Sequence, residues 1–233
     1  MALRAVLFDA GGTLIHPDYR RVAAVLERVL GRAPAHAAFR EAEYAGRAAV
    51  EEAMAAERGT RDGDRWTVHF AAMLGAMGFR ADEVRRVAPP LVAEHRRGNL
   101  WTVPEPGAAE ALAALRAAGY TVGVVSNADG TVDRLLAGAG LAADLAFVVD
   151  SGSVGVEKPD PAIFRLALDR AGVGADEALY VGDLYPVDVV GARRAGIEPV
   201  LLDPLGRYGD RGCRTSPDVP TLSRELVAAR RAA

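Results

Sequence analysis

The feature that most limits the possible folds is a regular alternation of apolar, strand-like runs and helical patterns over residues 100–233. An apolar run at residues 3–9 has the same strand-like character, but a long stretch of chain separates it from the rest. This alternation predicts α/β architecture, a Rossmann-like doubly wound parallel sheet with helices on both faces. The predicted strands cover residues 3–9, 121–125, 145–149, 178–181 and 198–202.

The stretch between the first strand and the others has apolar residues at helical spacing, as in Tyr19, Val22 and Leu26, and no convincing strand. It must therefore leave the sheet after one strand and return for the next. We predict that residues 16–99 form an inserted all-helical cap domain. Residues 1–15 and 100–233 would together form the core.

Composition excludes several classes of partner. The formal net charge is -3 and basic residues do not form long runs, so we do not expect nucleic acid as a partner. The apolar runs are far shorter than the roughly 18 residues that a membrane span needs. Cys213 is the single cysteine, so an internal disulfide cannot form. We expect a cytoplasmic protein without a membrane segment, and the sequence leaves its oligomeric state open.

Polar residues follow the predicted strands at the points where the strands end. Asp9 follows the first, Ser126 and Asn127 the second, Lys158 the third, and Asp183 and Asp188 the fourth. Because the carboxyl ends of parallel strands meet at one edge of a sheet, we expect these side chains to converge. Several carboxylates together need a cation, and an all-oxygen set suits Mg²⁺. A strand that merely ends in an Asp-containing turn would look the same at the first of these sites.

Four short segments at these strand ends carry a family resemblance. They read Asp-Ala-Gly-Gly-Thr-Leu at 9–14, Val-Val-Ser-Asn at 124–127, Glu-Lys-Pro-Asp-Pro at 157–161 and Val-Gly-Asp-Leu-Tyr-Pro-Val-Asp at 181–188. Each is weak alone, but all four occur in order at the predicted strand ends. The chain resembles the haloacid dehalogenase superfamily of hydrolases, with a helical C1-type cap inserted after the first motif.

The resemblance implies a role for each matched residue. Asp9 would be the nucleophile that forms an aspartyl-phosphate. Mg²⁺ would be bound by the carboxylates of Asp9 and Asp183 and the backbone carbonyl of Gly11, with Asp188 contributing through water and fixing Lys158. Ser126 and Lys158 would hold the transferring phosphoryl group, and Asn127 would orient that loop on the substrate side.

One position departs from the family pattern. Family phosphatases carry a second aspartate two residues after the nucleophile, and it protonates the leaving oxygen; here that position is Gly11. A glycine still offers its carbonyl to a metal, but it has no proton to give. General acid catalysis is worth about 10²–10⁴-fold. We therefore predict a phosphatase of small phosphorylated metabolites that is slow on ordinary phosphomonoesters and faster on aryl or acyl phosphates.

Other interpretations remain open. The chain could be a catalytically impaired relative that binds phosphate or a partner, or, with less support, a 2-haloacid dehalogenase that uses Arg40 or Arg47 of the cap. Phosphonate-cleaving relatives need a cap lysine, which Lys158, the single lysine, excludes.

Two further groups of residues have more than one reading. His16 could donate a proton, although a hinge or surface role is commoner for such a residue. Three cap arginines could meet an anionic substrate or be solvated: Arg47, Arg58 and Arg61.

Overall fold

A computed structural model of the chain describes residues 2–56 and 62–232. The chain divides into two compact units, one of Met1–His16 with Thr102–Ala233 and the other of Pro17–Trp101. Two predicted cap arginines, Arg58 and Arg61, lie outside the described residues. Among the described residues, no helix combines the length and apolar character needed to cross a membrane.

The first unit is built on a six-stranded sheet among the described residues, in which every reported pairing is parallel. Its strands are β1 (Ala5–Phe8), β4 (Thr121–Ser126), β5 (Phe147–Asp150), β6 (Ala178–Gly182), β7 (Glu198–Leu202) and β8 (Arg214–Ser216). The spatial order is β5-β4-β1-β6-β7-β8, so the strand order reverses around β1. The predicted α/β, doubly wound fold is confirmed.

Helices connect the strands of this unit. They are α5 (Ala108–Ala117), α6 (Val132–Gly138), α7 (Ser151–Val154), α8 (Pro161–Ala171), α9 (Val190–Arg194) and α10 (Val219–Ala232). Asp160 caps α8 by accepting a hydrogen bond from the Ala162 amide, and Pro161 occupies its first turn. Buried residues of β1, such as Leu7, pack with Phe164 of α8 and Tyr180 of β6. Hydrophobic burial of this kind holds the strand ends in fixed positions.

The second unit is helical. Its helices are α1 (Tyr19–Leu30), α2 (His36–Ala55), α3 (Asp62–Ala76) and α4 (Ala81–Arg97). Tyr19 stacks on Phe39 with ring centroids 4.6 Å apart, within a core that also holds Phe70 and Leu91. The amide of Asp18 donates to the carbonyl of Leu100 at 2.7 Å, so the two ends of the unit lie side by side.

Three short strands were not predicted. β2 (Ile15–Pro17) and β3 (Trp101–Pro104) form a two-stranded sheet, and β8 is the edge strand of the main sheet. The sequence pattern predicts no strand after residue 202. β8 is three residues long and two of them are exposed, so it lacks the apolar run that marks a buried strand.

Candidate active site

The candidate site lies at the carboxyl edge of the sheet, around the ends of β1, β4 and β6. Phe8 is in register with Val124 on one side and Val181 on the other, and the amide of Asp9 donates to the Val181 carbonyl at 2.8 Å. Asp9 therefore leaves the sheet between two neighbouring strands. In open parallel sheets, the place where strand order reverses is where ligands bind.

Three carboxylates converge there. Asp9, Asp183 and Asp188 are all buried, and each offers an oxygen within 4.8 Å of the others. Carboxylate oxygens are the ligands of hard divalent cations. Three carboxylates face the single ammonium of Lys158, so when all three are ionised the protein groups leave a surplus of negative charge that a cation would balance. The residues present therefore fit a divalent metal ion.

Lys158 reaches into the middle of this cluster. Its Nζ donates to Asp9 Oδ1 at 2.5 Å, to Asp188 Oδ1 at 2.8 Å and to the Tyr180 hydroxyl at 2.8 Å. These contacts use all three ammonium N–H groups. Burial alone would lower the pKa of Lys158, but Asp188 and Asp9 outweigh it and hold that pKa above its usual 10.5. The lysine is therefore a fixed positive charge beside Asp9.

Burial has the largest effect on the pKa of Asp9. Burial raises the pKa of Asp9 from its ordinary 3.8 to about 8; Lys158 opposes this effect, and Asp188 and Asp183 add to it. Among these protein groups alone the carboxylate would hold its proton near neutral pH. A nearby cation would favour the ionised form, which is the nucleophilic one.

Asp188 links the lysine to the loop after β6. Its Oδ1 contacts Lys158, while its Oδ2 accepts hydrogen bonds from the amides of Asp183 at 3.1 Å and Leu184 at 2.9 Å. Both oxygens are thus committed to holding neighbouring groups. This geometry suits a residue that positions Asp183 and Lys158.

Ser126 ends strand β4, and Asn127 follows it directly. The side-chain amide of Asn127 bonds both backbone groups of Lys158, donating to its carbonyl at 2.9 Å and accepting from its amide at 2.7 Å. Asn127 therefore fixes the loop that presents the lysine. Ser126 is buried at the same strand end, in register with Asp150 of β5.

The glycines after Asp9 shape the turn that passes Asp183. Gly12 has φ +82°, and a Cβ built on it would lie 2.4 Å from Asp183 Oδ2. Only glycine combines that backbone conformation with so close an approach. Gly11 is bridged to Ile15, which folds the segment back on itself.

Sequence reasoning missed Tyr180 as a member of the site. Its hydroxyl accepts from Lys158 and lies 3.1 Å from Asp188 Oδ1 and 3.2 Å from the Val125 carbonyl. Burial, with Asp188 and Asp9 nearby, raises the pKa of Tyr180 well above 10, so the hydroxyl stays protonated. A tyrosine inside an apolar strand looks like an ordinary core residue, and nothing in the sequence marks its hydroxyl.

The arginines considered for halide or anion binding occupy two environments. Arg40 is exposed on α2, whereas Arg47 is buried and lies 3.8 Å from Glu43 on the same helix. Glu43 also approaches His69 of α3 at 3.1 Å. Arg47 is therefore part of a buried charged cluster inside the helical unit.

A family model described as haloacid dehalogenase-like hydrolase matches residues 3–196. The chain is 37% identical to a phosphoserine phosphatase of Thermus thermophilus over 158 residues, which is 67% of this chain and 58% of that protein. It is 36% identical to a glyceraldehyde 3-phosphate phosphatase of Methanopyrus kandleri over 165 residues, 68% of this chain and 70% of that protein. The chain thus aligns with less than two thirds of the Thermus protein's length.

A solved structure of similar fold is the 2-haloacid dehalogenase of Pseudomonas syringae. It is 27% identical, has a TM-score of 0.59 and matches 99% of this chain and 100% of its own. Phosphatases and dehalogenases thus share the architecture, and a choice between them depends on the residues of the site.

Proposed function

This chain belongs to the haloacid dehalogenase-like hydrolases, and from that premise we propose that it is an Mg²⁺-dependent phosphatase of small phosphorylated metabolites. The observation that carries the proposal is the meeting of Asp9, Asp183 and Lys158 at one edge of the sheet. Phosphatase-named relatives support the same class of reaction. The helical unit, Pro17–Trp101, is assigned the role of a substrate-selecting cap.

The metal site would use oxygen atoms already gathered by the fold. Asp9, Asp183 and the Gly11 carbonyl would hold Mg²⁺, and Asp188 would act through water. When bound, the ion neutralises charge on the cluster and on the phosphoryl oxygens. This carboxylate set argues against the dehalogenase alternative, because displacement of a halide from carbon by Asp9 has no use for a second metal-binding carboxylate.

The reaction would follow from the positions of the side chains. Asp9 attacks phosphorus and forms an aspartyl-phosphate while the bond from phosphorus to the ester oxygen breaks and the leaving group departs, and water then hydrolyses the intermediate to Asp9 and phosphate. Lys158 and Ser126 stabilise the charge that spreads over the phosphoryl oxygens, and Asn127 keeps Lys158 in place. The Lys158 contacts support this, since its Nζ lies 2.5 Å from Oδ1 of Asp9.

Gly11 sets the expected substrate preference. General acid help for a poor leaving group is worth about 10²–10⁴-fold, equivalent to about 3–5 kcal/mol of activation free energy, and residue 11 contributes none of it. The aryloxide or carboxylate group of an aryl or acyl phosphate can leave without a proton. These substrates should therefore be hydrolysed faster.

The test is phosphate release from a panel of phosphorylated metabolites and p-nitrophenyl phosphate, with and without Mg²⁺. Asp9→Asn is the control for contaminating activity and should abolish release. Gly11→Asp should raise turnover of alkyl esters more than that of p-nitrophenyl phosphate. If wild-type protein releases no phosphate but still forms a beryllium fluoride adduct at Asp9, the alternative of an impaired phosphate-binding relative replaces this proposal.

A further inference from the structure

The proposed reaction needs a proton on the leaving oxygen, and residue 11 cannot give one. The titratable groups beside Asp9 are already committed. Lys158 uses its three N–H groups on Asp9, Asp188 and Tyr180. The Tyr180 hydroxyl is buried within the same network. The segment that follows the nucleophile offers a different candidate donor.

His16 is the next titratable side chain along that segment, and the segment folds back toward Gly11. The Ile15 amide donates to the Ala10 carbonyl at 2.9 Å, and the Gly12 amide donates to the Ile15 carbonyl at 2.8 Å. Gly11 and Ile15 form a bridged pair. Bridged Cα atoms lie about 5 Å apart and consecutive ones 3.8 Å, so the Cα atoms of His16 and Gly11 lie within about 9 Å. The backbone of His16 therefore lies close to the position where the missing acid would stand, and a general acid acts there directly or through one water.

Glu105 holds the imidazole in place. His16 Nε2 lies 2.8 Å from Glu105 Oε2, and the Glu105 amide donates to the Leu14 carbonyl at 2.9 Å, so the same turn anchors both residues. The contact has ion-pair distance without hydrogen-bond alignment, and Nε2 is shielded from solvent. The His16 side chain is still 26% exposed, which leaves part of the ring accessible. A histidine oriented by a carboxylate is a recurrent arrangement for proton transfer.

We propose that His16, oriented by Glu105, is the general acid that replaces the side chain missing at position 11, an inference that rests on the proposed phosphatase function. As an Asp9 oxygen bonds to phosphorus, the bond from phosphorus to the ester oxygen breaks with its electron pair on that oxygen. The protonated ring of His16 gives the oxygen its proton from Nδ1, and a neutral alcohol leaves. The neutral ring then takes a proton from the water that attacks the aspartyl-phosphate, which restores Asp9 and releases phosphate.

The test compares two esters that differ in their need for a proton. Glycerol 3-phosphate has a poor leaving group and p-nitrophenyl phosphate a good one. His16→Asn should lower kcat/KM for glycerol 3-phosphate by about 100-fold. It should leave kcat/KM for p-nitrophenyl phosphate within about threefold of the wild-type value. Glu105→Gln should lower the ratio of kcat/KM for glycerol 3-phosphate to kcat/KM for p-nitrophenyl phosphate in the same direction, by a smaller factor. The matched control is His69→Asn, since His69 forms a similar pair with Glu43 at 3.1 Å within the helical unit, and it should leave the ratio unchanged.

A double variant separates proton donation from a structural role. Gly11→Asp in the His16→Asn background should restore glycerol 3-phosphate turnover and give a larger gain than in wild type, because the two acids substitute for one another. Equal gains in both backgrounds, or a ratio that His16→Asn does not move, would overturn the inference while the phosphatase function stands. The inference would also be overturned if the wild type hydrolysed p-nitrophenyl phosphate but not glycerol 3-phosphate. Turnover of neither ester would refute the proposed function and this inference with it.

Discussion

At the scale of single residues, the site depends on one ammonium group with no spare hydrogen-bond donor. Lys158 is the single lysine of the chain, and its three N–H groups contact Asp9, Asp188 and Tyr180. Losing one acceptor leaves a buried charged donor unsatisfied, which costs more than an exposed hydrogen bond would. Small changes around this lysine should therefore affect both stability and catalysis.

Tyr180→Phe is the mildest such change. It should lower the free energy of unfolding by about 1–3 kcal/mol, because one Lys158 N–H loses its acceptor. It should also lower kcat more than it raises KM, since Lys158 would no longer be held against Asp9. Urea denaturation and steady-state kinetics measure the two effects.

Tyr120→Phe is the matched control for that experiment. The buried Tyr120 hydroxyl donates to the Leu226 carbonyl of α10 at 3.1 Å, and Tyr120 precedes β4 at the end opposite to Ser126. It should cost a similar amount of stability and leave kcat unchanged. If both variants lower kcat equally, the hydroxyl of Tyr180 has no specific part in the site.

At the scale of secondary-structure elements, an acid at a strand end need not belong to the active site. Asp150 ends β5 and is buried, as Asp9 is after β1. Its carboxylate accepts hydrogen bonds from three amides: Gly130 at 3.0 Å, Val132 at 3.1 Å and Gly152 at 2.9 Å. It therefore ties the loop after β4 and the start of α6 to the end of β5.

Asp150→Ala should destabilise the protein by about 2–4 kcal/mol, because three amides, one of them in a buried hydrogen bond and two in part-buried ones, lose a charged acceptor. Mg²⁺ affinity should change little. Thermal or urea unfolding and calorimetric titration of Mg²⁺ give the two values. Asp160→Ala provides the comparison, since Asp160 caps α8 through one exposed hydrogen bond and should cost only about 0.5–2 kcal/mol. Equal losses in the two variants would contradict the assigned role of Asp150.

At the scale of the whole molecule, the buried acidic cluster links stability to pH. The pKa of Asp9 is raised to about 8 in the folded protein, whereas the unfolded chain loses that proton near 4. Between these values the folded state binds more protons, so the free energy of unfolding falls as pH rises.

In the presence of a chelator, the free energy of unfolding should fall between pH 5 and pH 8, as measured by urea denaturation. We expect this fall to be smaller in Asp9→Asn than in the wild type. Saturating Mg²⁺ should raise the stability of the wild type at pH 8 by more than that of the variant, because the cation offsets the negative charge. A pH dependence identical in wild type and Asp9→Asn would show that the cluster does not set it.

The two compact units allow a second test at this scale. Because Asp18 and Leu100 are bonded at 2.7 Å, the ends of the helical unit are adjacent and a short linker can replace residues 17–101. The remaining unit should unfold cooperatively and keep Mg²⁺ binding, since Asp9, Asp183 and Asp188 all belong to it. Loss of discrimination among phosphorylated metabolites with retained p-nitrophenyl phosphatase activity would support the cap assignment. Retained discrimination would contradict it.

Much of this arrangement is predictable because it depends on local rules. Apolar runs mark β1, β4, β6 and β7 well, since buried strands need continuous apolar sequence. The predicted family and hydrolase class are confirmed. β8 escaped prediction because an exposed three-residue edge strand has no such run. The individual roles of the predicted site residues and the limits of the cap domain stay predictions.

The sequence by itself determined which strand ends carry acids and that position 11 lacks a proton donor, because these properties belong to neighbouring residues. Only the tertiary structure decided that Lys158 lies between Asp9 and Asp188 and that Tyr180 accepts the third hydrogen bond of the Lys158 ammonium. It also decided that Asp150, another acid at a strand end, binds loop amides. Contacts such as that of Lys158 with Asp9 join residues 149 positions apart. Strand order and register create them, and no local pattern in the chain encodes either.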